Sequence, residues 1–129
     1  MNSEVIAKGD RVMLVSADSC DEVQKYLLAT GCEIVKVNRG EDAIFQAQHA
    51  TFNTAVLVST GKTMDMAETV LNLRDTRPAM PIVIMTADIA PEEAEILAHA
   101  CPNARPLRLD ELTAFLWAHD PTKRTAGET

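Results

Sequence analysis

The chain has 129 residues, with 12 Lys and Arg against 19 Asp and Glu and a net charge of −7, so it suits one domain and lacks the basic footprint that nucleic-acid phosphates require. Its longest apolar runs, such as Ile82 to Met85, fall far short of a membrane span of roughly 18 residues, and no secretory leader pattern lies near Met1. The expectation is a cytoplasmic protein that binds neither nucleic acid nor membrane. Cys20, Cys32 and Cys101 are an odd number at wide spacing, which suits neither a disulfide framework nor a CxxC metal or redox motif, and they read as small buried hydrophobes.

From Arg11 to about His119, short apolar runs alternate with amphipathic stretches. Val12 to Val15 is the first expected strand, and Ser19 with Glu22 makes a capping box for a helix carrying Val23, Tyr26 and Leu27. Gly31 stands where a glycine should stop that helix. Ile34 to Val37 is the second strand, and Gly40 and Glu41 open a helix with Ala43, Ile44 and Ala47 on one side. Ala55 to Val58 is the third strand, followed by a helix with Met66, Val70 and Leu73 that must finish before Pro78. Ile82 to Met85 is the fourth strand, and a helix begins near Pro91, with Glu92 and Glu93 in its first turn where negative charge suits the helix dipole, and ends near Ala100. A last helix runs from about Asp110 with Leu112, Phe115 and Leu116 as its buried stripe. The strands are β-branched and nearly free of charge, as expected of parallel strands covered on both faces, with Lys36 the exception. Residues 1–9 and 121–129 are expected to be flexible ends around a single domain over 10–120.

Repeated βα units in so short a chain imply a three-layer, doubly wound α/β domain, a flavodoxin-like five-stranded parallel sheet in order 2-1-3-4-5 with five helices. In such a fold, function lies at the carboxyl ends of the strands, which here hold Ser16, Ala17 and Asp18, then Ser59 to Lys62, then Thr86 to Asp88.

The run Pro78-Ala-Met-Pro-Ile-Val-Ile-Met-Thr86-Ala87 resembles the fourth strand of bacterial response-regulator receiver domains, the CheY-like family. Arg11-Val-Met-Leu-Val resembles their first strand, Gly31 to Gly40 their second strand and turn, and Met64-Asp65 the Met-Asp after the phosphorylation loop. Arg105-Pro106, ahead of Asp110-Glu111-Leu112, matches the family's Lys-Pro and the start of its last helix. The resemblance spans Arg11 to about His119.

What the resemblance implies for mechanism mostly fails when carried over by residue. Working receivers hold Mg²⁺ with two acids after strand one and an aspartate after strand three, and that aspartate accepts a phosphoryl group. A hard cation needs clustered oxygen charge to be held there and to neutralise the transferring group. At those positions stand Ser16, Ala17 and Ser59, with Asp18 the only acid left nearby, so Mg²⁺ binding is expected to be weak or absent. The family's lysine becomes Arg105, a planar fork in place of a point charge, and Thr86 alone matches. The segment Cys101-Pro-Asn-Ala-Arg105, read as the fifth strand, is short and lacks the aromatic that couples to the threonine in the family. The chain therefore reads as a degenerate pseudo-receiver and not an enzyme.

Competing readings attach to single residues. Thr86 serves equally as a strand-end hydroxyl bonding nearby backbone, and Asp18 as a local acid ahead of the first helix. Asp18 or Asp65 could take phosphate in place of Ser59, whose own hydroxyl has no base near it because His49, His99 and His119 lie off the relevant loops. Gly61-Lys62-Thr63 resembles the end of a nucleotide-binding loop, yet Val56 stands where that loop needs its first glycine. A domain without a trigger must act through a surface, and receivers use the face of helix four, strand five and helix five. There Trp117 lies roughly 140° from the apolar stripe of its helix, a candidate anchor beside acidic Glu92 and Glu95. The implied partner is a protein: a histidine kinase, another regulator, or a second copy meeting through helices four and five.

Overall fold

The computed structural model describes residues 6–18, 20–60, 65–85 and 90–112. Five strands, β1 (Arg11–Ser16), β2 (Glu33–Val37), β3 (Thr54–Ser59), β4 (Ile82–Met85) and β5 (Ala104–Leu107), form one parallel sheet in the order β2-β1-β3-β4-β5. Between them run α1 (Asp21–Thr30), α2 (Gly40–His49), α3 (Met66–Thr76) and α4 (Pro91–Ala100), and a fifth helix, α5, is described over 109–112.

Strand periodicity divides the core into two layers. Met13, Val15, Ala55, Leu57, Ile82 and Ile84 turn toward α2, α3 and α4, where Ala43, Ala47, Val70, Leu73 and Leu97 cover them. Val12, Leu14, Val56, Val83 and Met85 turn the other way, toward Val23 and Leu27 of α1 and Leu112 of α5. The central strands are therefore apolar on both faces, as expected. The edge strand β2 is not: Glu33 and Lys36 are exposed and Ile34 and Val35 only half-buried. Lys36 is thus the mark of an edge, where a charge discourages a further strand from pairing.

The first helix opens differently from the capping-box expectation. Cys20 occupies its N-cap and its carbonyl accepts from Gln24 N at 3.0 Å, with no side-chain cap; Ser19 lies outside the described residues. Gly31 ends the helix as expected, at φ +94°, with its N–H reaching the carbonyls of Leu27 and Leu28. A Cβ at Gly31 would also stand 2.9 Å from Lys8 Cγ, so this turn needs glycine for both conformation and space.

That contact bears on the expected flexible stretch 1–9, of which residues 6–9 are described and packed. Ile6 is fully buried with Val12, Leu27 and Cys32, worth about 2 kcal/mol of transfer free energy. Gly9 N donates to Gly31 O at 3.0 Å, and Ala7 N to the Asp10 carboxylate at 2.9 Å. Packing therefore starts by Ile6. The tail 121–129 lies outside the described residues.

Candidate functional site at the carboxyl ends of β1 and β3

Val15 pairs with Leu57 but Ser16 pairs with Ser59, so Val58 is an extra residue in β3 and the two serines meet side by side where the strands end. Ala17 N closes the arrangement on Ser59 O at 3.0 Å. Ser16 is completely buried, and its hydroxyl donates to the Asp18 carbonyl at 2.6 Å. The Ser59 hydroxyl donates to Asp18 Oδ2 at 3.4 Å, a long contact at an exposed carboxylate. Of the residues singled out from the sequence, Ser16, Asp18 and Ser59 converge, and exposed Ala17 beside them contributes no polar side chain. Gly40 N donates to Thr60 O at 3.0 Å, tying the segment after β3 to the start of α2. Thr86 and the Gly61-Lys62-Thr63 run lie outside the described residues.

The structure places Arg105 within β5 and not at its carboxyl end. It is paired with Val83, and the strand continues to Leu107 opposite Met85. The fifth strand is accordingly Ala104–Leu107, while Cys101 to Asn103 form the approach to it. The basic residue just past the carboxyl end is Arg108. Arg108 Nε lies 3.3 Å from Asp110 Oδ1 and its backbone N donates to Glu111 Oε1 at 2.8 Å, which braces the start of α5.

Asp65 caps α3. Its Oδ1 accepts from Glu68 N at 2.7 Å and its carbonyl from Thr69 Oγ1 at 2.8 Å. Asp65→Ala is expected to cost about 1 kcal/mol in chemical unfolding, as loss of an N-cap does. A carboxylate engaged in this way is turned to its own helix and not to the Ser16–Ser59 junction.

On the other flank, α4 and β5 border a groove of about 640 Å³ lined by Pro91, Glu92, Glu95, Pro106, Arg108 and Glu111. Both Glu92 and Glu95 are exposed there, and Trp117 lies outside the described residues.

No protein-family model and no curated protein matches the sequence. Solved structures do. The receiver domain of the sensor histidine kinase PA1611 from Pseudomonas aeruginosa, with a magnesium ion coordinated in its active-site cleft, superposes with a TM-score of 0.70 at 19% identity, over 85% of this chain and 96% of that one. A CheY-like response regulator receiver domain protein from Methanospirillum hungatei gives 0.69 at 16% identity, over 94% and 96%. The chemotaxis protein CheY4 of Vibrio cholerae gives 0.66 at 22%, over 78% and 86%. The fold is therefore that of the CheY-like receiver domains of two-component signalling proteins.

The residues at this site do not fit the magnesium ion of that fold. Mg²⁺ takes near-octahedral oxygen ligands with carboxylates for charge, and Asp18 offers one exposed carboxylate beside two neutral hydroxyls. Among the described residues no three His, Cys, Asp or Glu side chains converge. Among them, too, no helix is long and apolar enough to cross a membrane.

Proposed function

We propose that this chain is a pseudo-receiver, a phosphorylation-independent module that binds a protein partner in bacterial two-component-type signalling in the cytoplasm and performs no catalysis. One observation carries the reading: Ser16 and Ser59, which match the receiver's acid positions by resemblance, both turn their hydroxyls onto Asp18, Ser16 at its carbonyl and Ser59, at longer range, at its exposed carboxylate. A buried hydroxyl that has found its acceptor is a stable end state, whereas a receiver site keeps several carboxylates close together against their mutual repulsion. The groove along α4 and β5, with Glu92, Glu95 and Glu111 on its wall, is the proposed partner face, and a histidine kinase, another regulator or a second copy is the proposed partner. Its acidic side chains favour a partner with a basic patch, through faster encounter more than through tighter binding.

A second reading keeps phosphate chemistry on Asp18, because its carboxylate lies within 3.4 Å of Ser59 Oγ at the strand ends. Incubation with acetyl phosphate and Mg²⁺ separates the two. The proposed function expects an intact mass unchanged by a phosphoryl group. A labile phosphoryl adduct that disappears in Asp18→Asn would establish the second reading instead.

A further inference from the structure

We propose that the cleft between the start of α1 and the carboxyl ends of β3 and β4 binds a small aromatic amine. This cleft, of about 300 Å³, is separate from the serine junction and from the α4–β5 groove, and it does not depend on how the domain is or is not phosphorylated. Its walls are Cys20, Val23, Val58, Met85 and Leu109. An apolar concavity with a few polar groups at its mouth, at the low end of ligand-site volumes, is the usual form of a small-molecule site. It also lies where ligands bind in open α/β sheets, outside the strand ends and next to the point where the order reverses between β1 and β3.

The shape is built into the backbone. Val58 is the bulged residue of β3, and a bulge re-aims its side chain; here it is half-buried against the α1 side of the sheet. Met85 ends β4 and Cys20 sits at the N-cap of α1, so two sulfur-bearing side chains line the same space, and sulfur packs favourably on aromatic ring edges. A single ring suits walls of this chemistry.

The cationic end follows from the rim. Asp21 and Glu22 both border the cleft, both are exposed, and among the described residues neither has an ion-pair or hydrogen-bond partner. The α1 N-terminus opposes them with only about half a positive charge, against two full negative ones, so among the described residues the rim is net negative. An ammonium on a short chain from the ring reaches this rim while the ring stays inside.

Titration of the full chain with phenethylamine, phenylacetate and toluene, followed by amide NMR, tests this. Phenethylamine is expected to saturate one site, with shifts at Val23, Val58 and Met85, and to bind about 10-fold or more tightly than phenylacetate. In Asp21→Asn/Glu22→Gln, which alters only exposed positions, that preference is expected to vanish while toluene binds as before. Val58→Phe is expected to fill the cleft and abolish binding of all three. No saturable phenethylamine binding, equal binding of phenylacetate, or an amine preference that survives in the Asp21→Asn/Glu22→Gln variant would overturn the proposal.

Discussion

Ser59→Asp alone is expected to leave the chain unable to take a phosphoryl group from acetyl phosphate, whereas Ser16→Asp, Ala17→Asp and Ser59→Asp together are expected to create a Mg²⁺ site at a large cost in stability. The single variant adds a second carboxylate beside Asp18 but leaves the cation short of charge and ligands, because Ser16 donates its hydrogen bond inward and Ala17 has no side-chain oxygen to give. In the triple variant, Ser16→Asp puts a carboxylate at a fully buried position against the Asp18 carbonyl, exchanging a made hydrogen bond for repulsion between acceptors. That loss, roughly 1 kcal/mol, adds to the 0.5 to 2 kcal/mol usual when a relieved functional site is rebuilt, so the metal-free triple variant should unfold about 1.5 to 3 kcal/mol more easily. Mg²⁺ at 100 times its dissociation constant returns about 2.7 kcal/mol by mass action. The measurement is chemical unfolding with and without Mg²⁺: stabilisation by the ion in the triple variant only. A Mg²⁺-dependent phosphoprotein from Ser59→Asp alone would sink the account of the site.

The strands and helices that depend on local pattern were legible from residues alone. The boundaries of α3 and α4 follow from Pro78 and Pro91, and the buried faces from 3.6- and 2-residue periods. What stayed hidden depends on partners distant in sequence. Whether β2 is covered on both faces is decided by sheet order, and Lys36 was the local sign of it. Ile6 is buried because segment 7–9 closes over Gly31, more than twenty residues away, which no window of sequence reveals. The place of Arg105 inside its strand has a different cause. Arg105-Pro106 carries the family's dipeptide, and the register that pairs Leu107 with Met85 extends the strand beyond it. At the site, residue identity at strand ends was enough to single out the two serines and Asp18, which the structure sets side by side. Their bonding, with Ser16 on a carbonyl and Ser59 on a carboxylate, requires the bulge at Val58, and a bulge has no sequence mark here.

The N-terminal closure predicts unusual behaviour for Cys32. Burial first, and the nearby Asp10 carboxylate second, push its thiol from 9.0 up to about 11. Its Sγ contacts the Ala7 carbonyl at 3.8 Å, within the segment that seals this corner. Below pH 9 the thiol is protonated in both folded and unfolded chains, so the stability it contributes is fully present. As pH rises toward 11 the unfolded chain ionises first, and up to about 3 kcal/mol is lost across that window. The difference in unfolding free energy between the native chain and Cys32→Ala, followed from pH 8 to 11, isolates this contribution from the lysines and Tyr26, because those are common to both. The native chain should fall relative to the variant. At pH 8 the thiolate population is about 100-fold below that of an ordinary thiol, so iodoacetamide should label Cys32 at least that much more slowly in the folded chain than in urea. Removing residues 1–9 takes away Ile6 and the Ala7 carbonyl, and the slow labelling should then be lost. If Cys32 in the intact folded chain labels as fast as in urea, the segment from Ile6 to Asp10 does not seal the core.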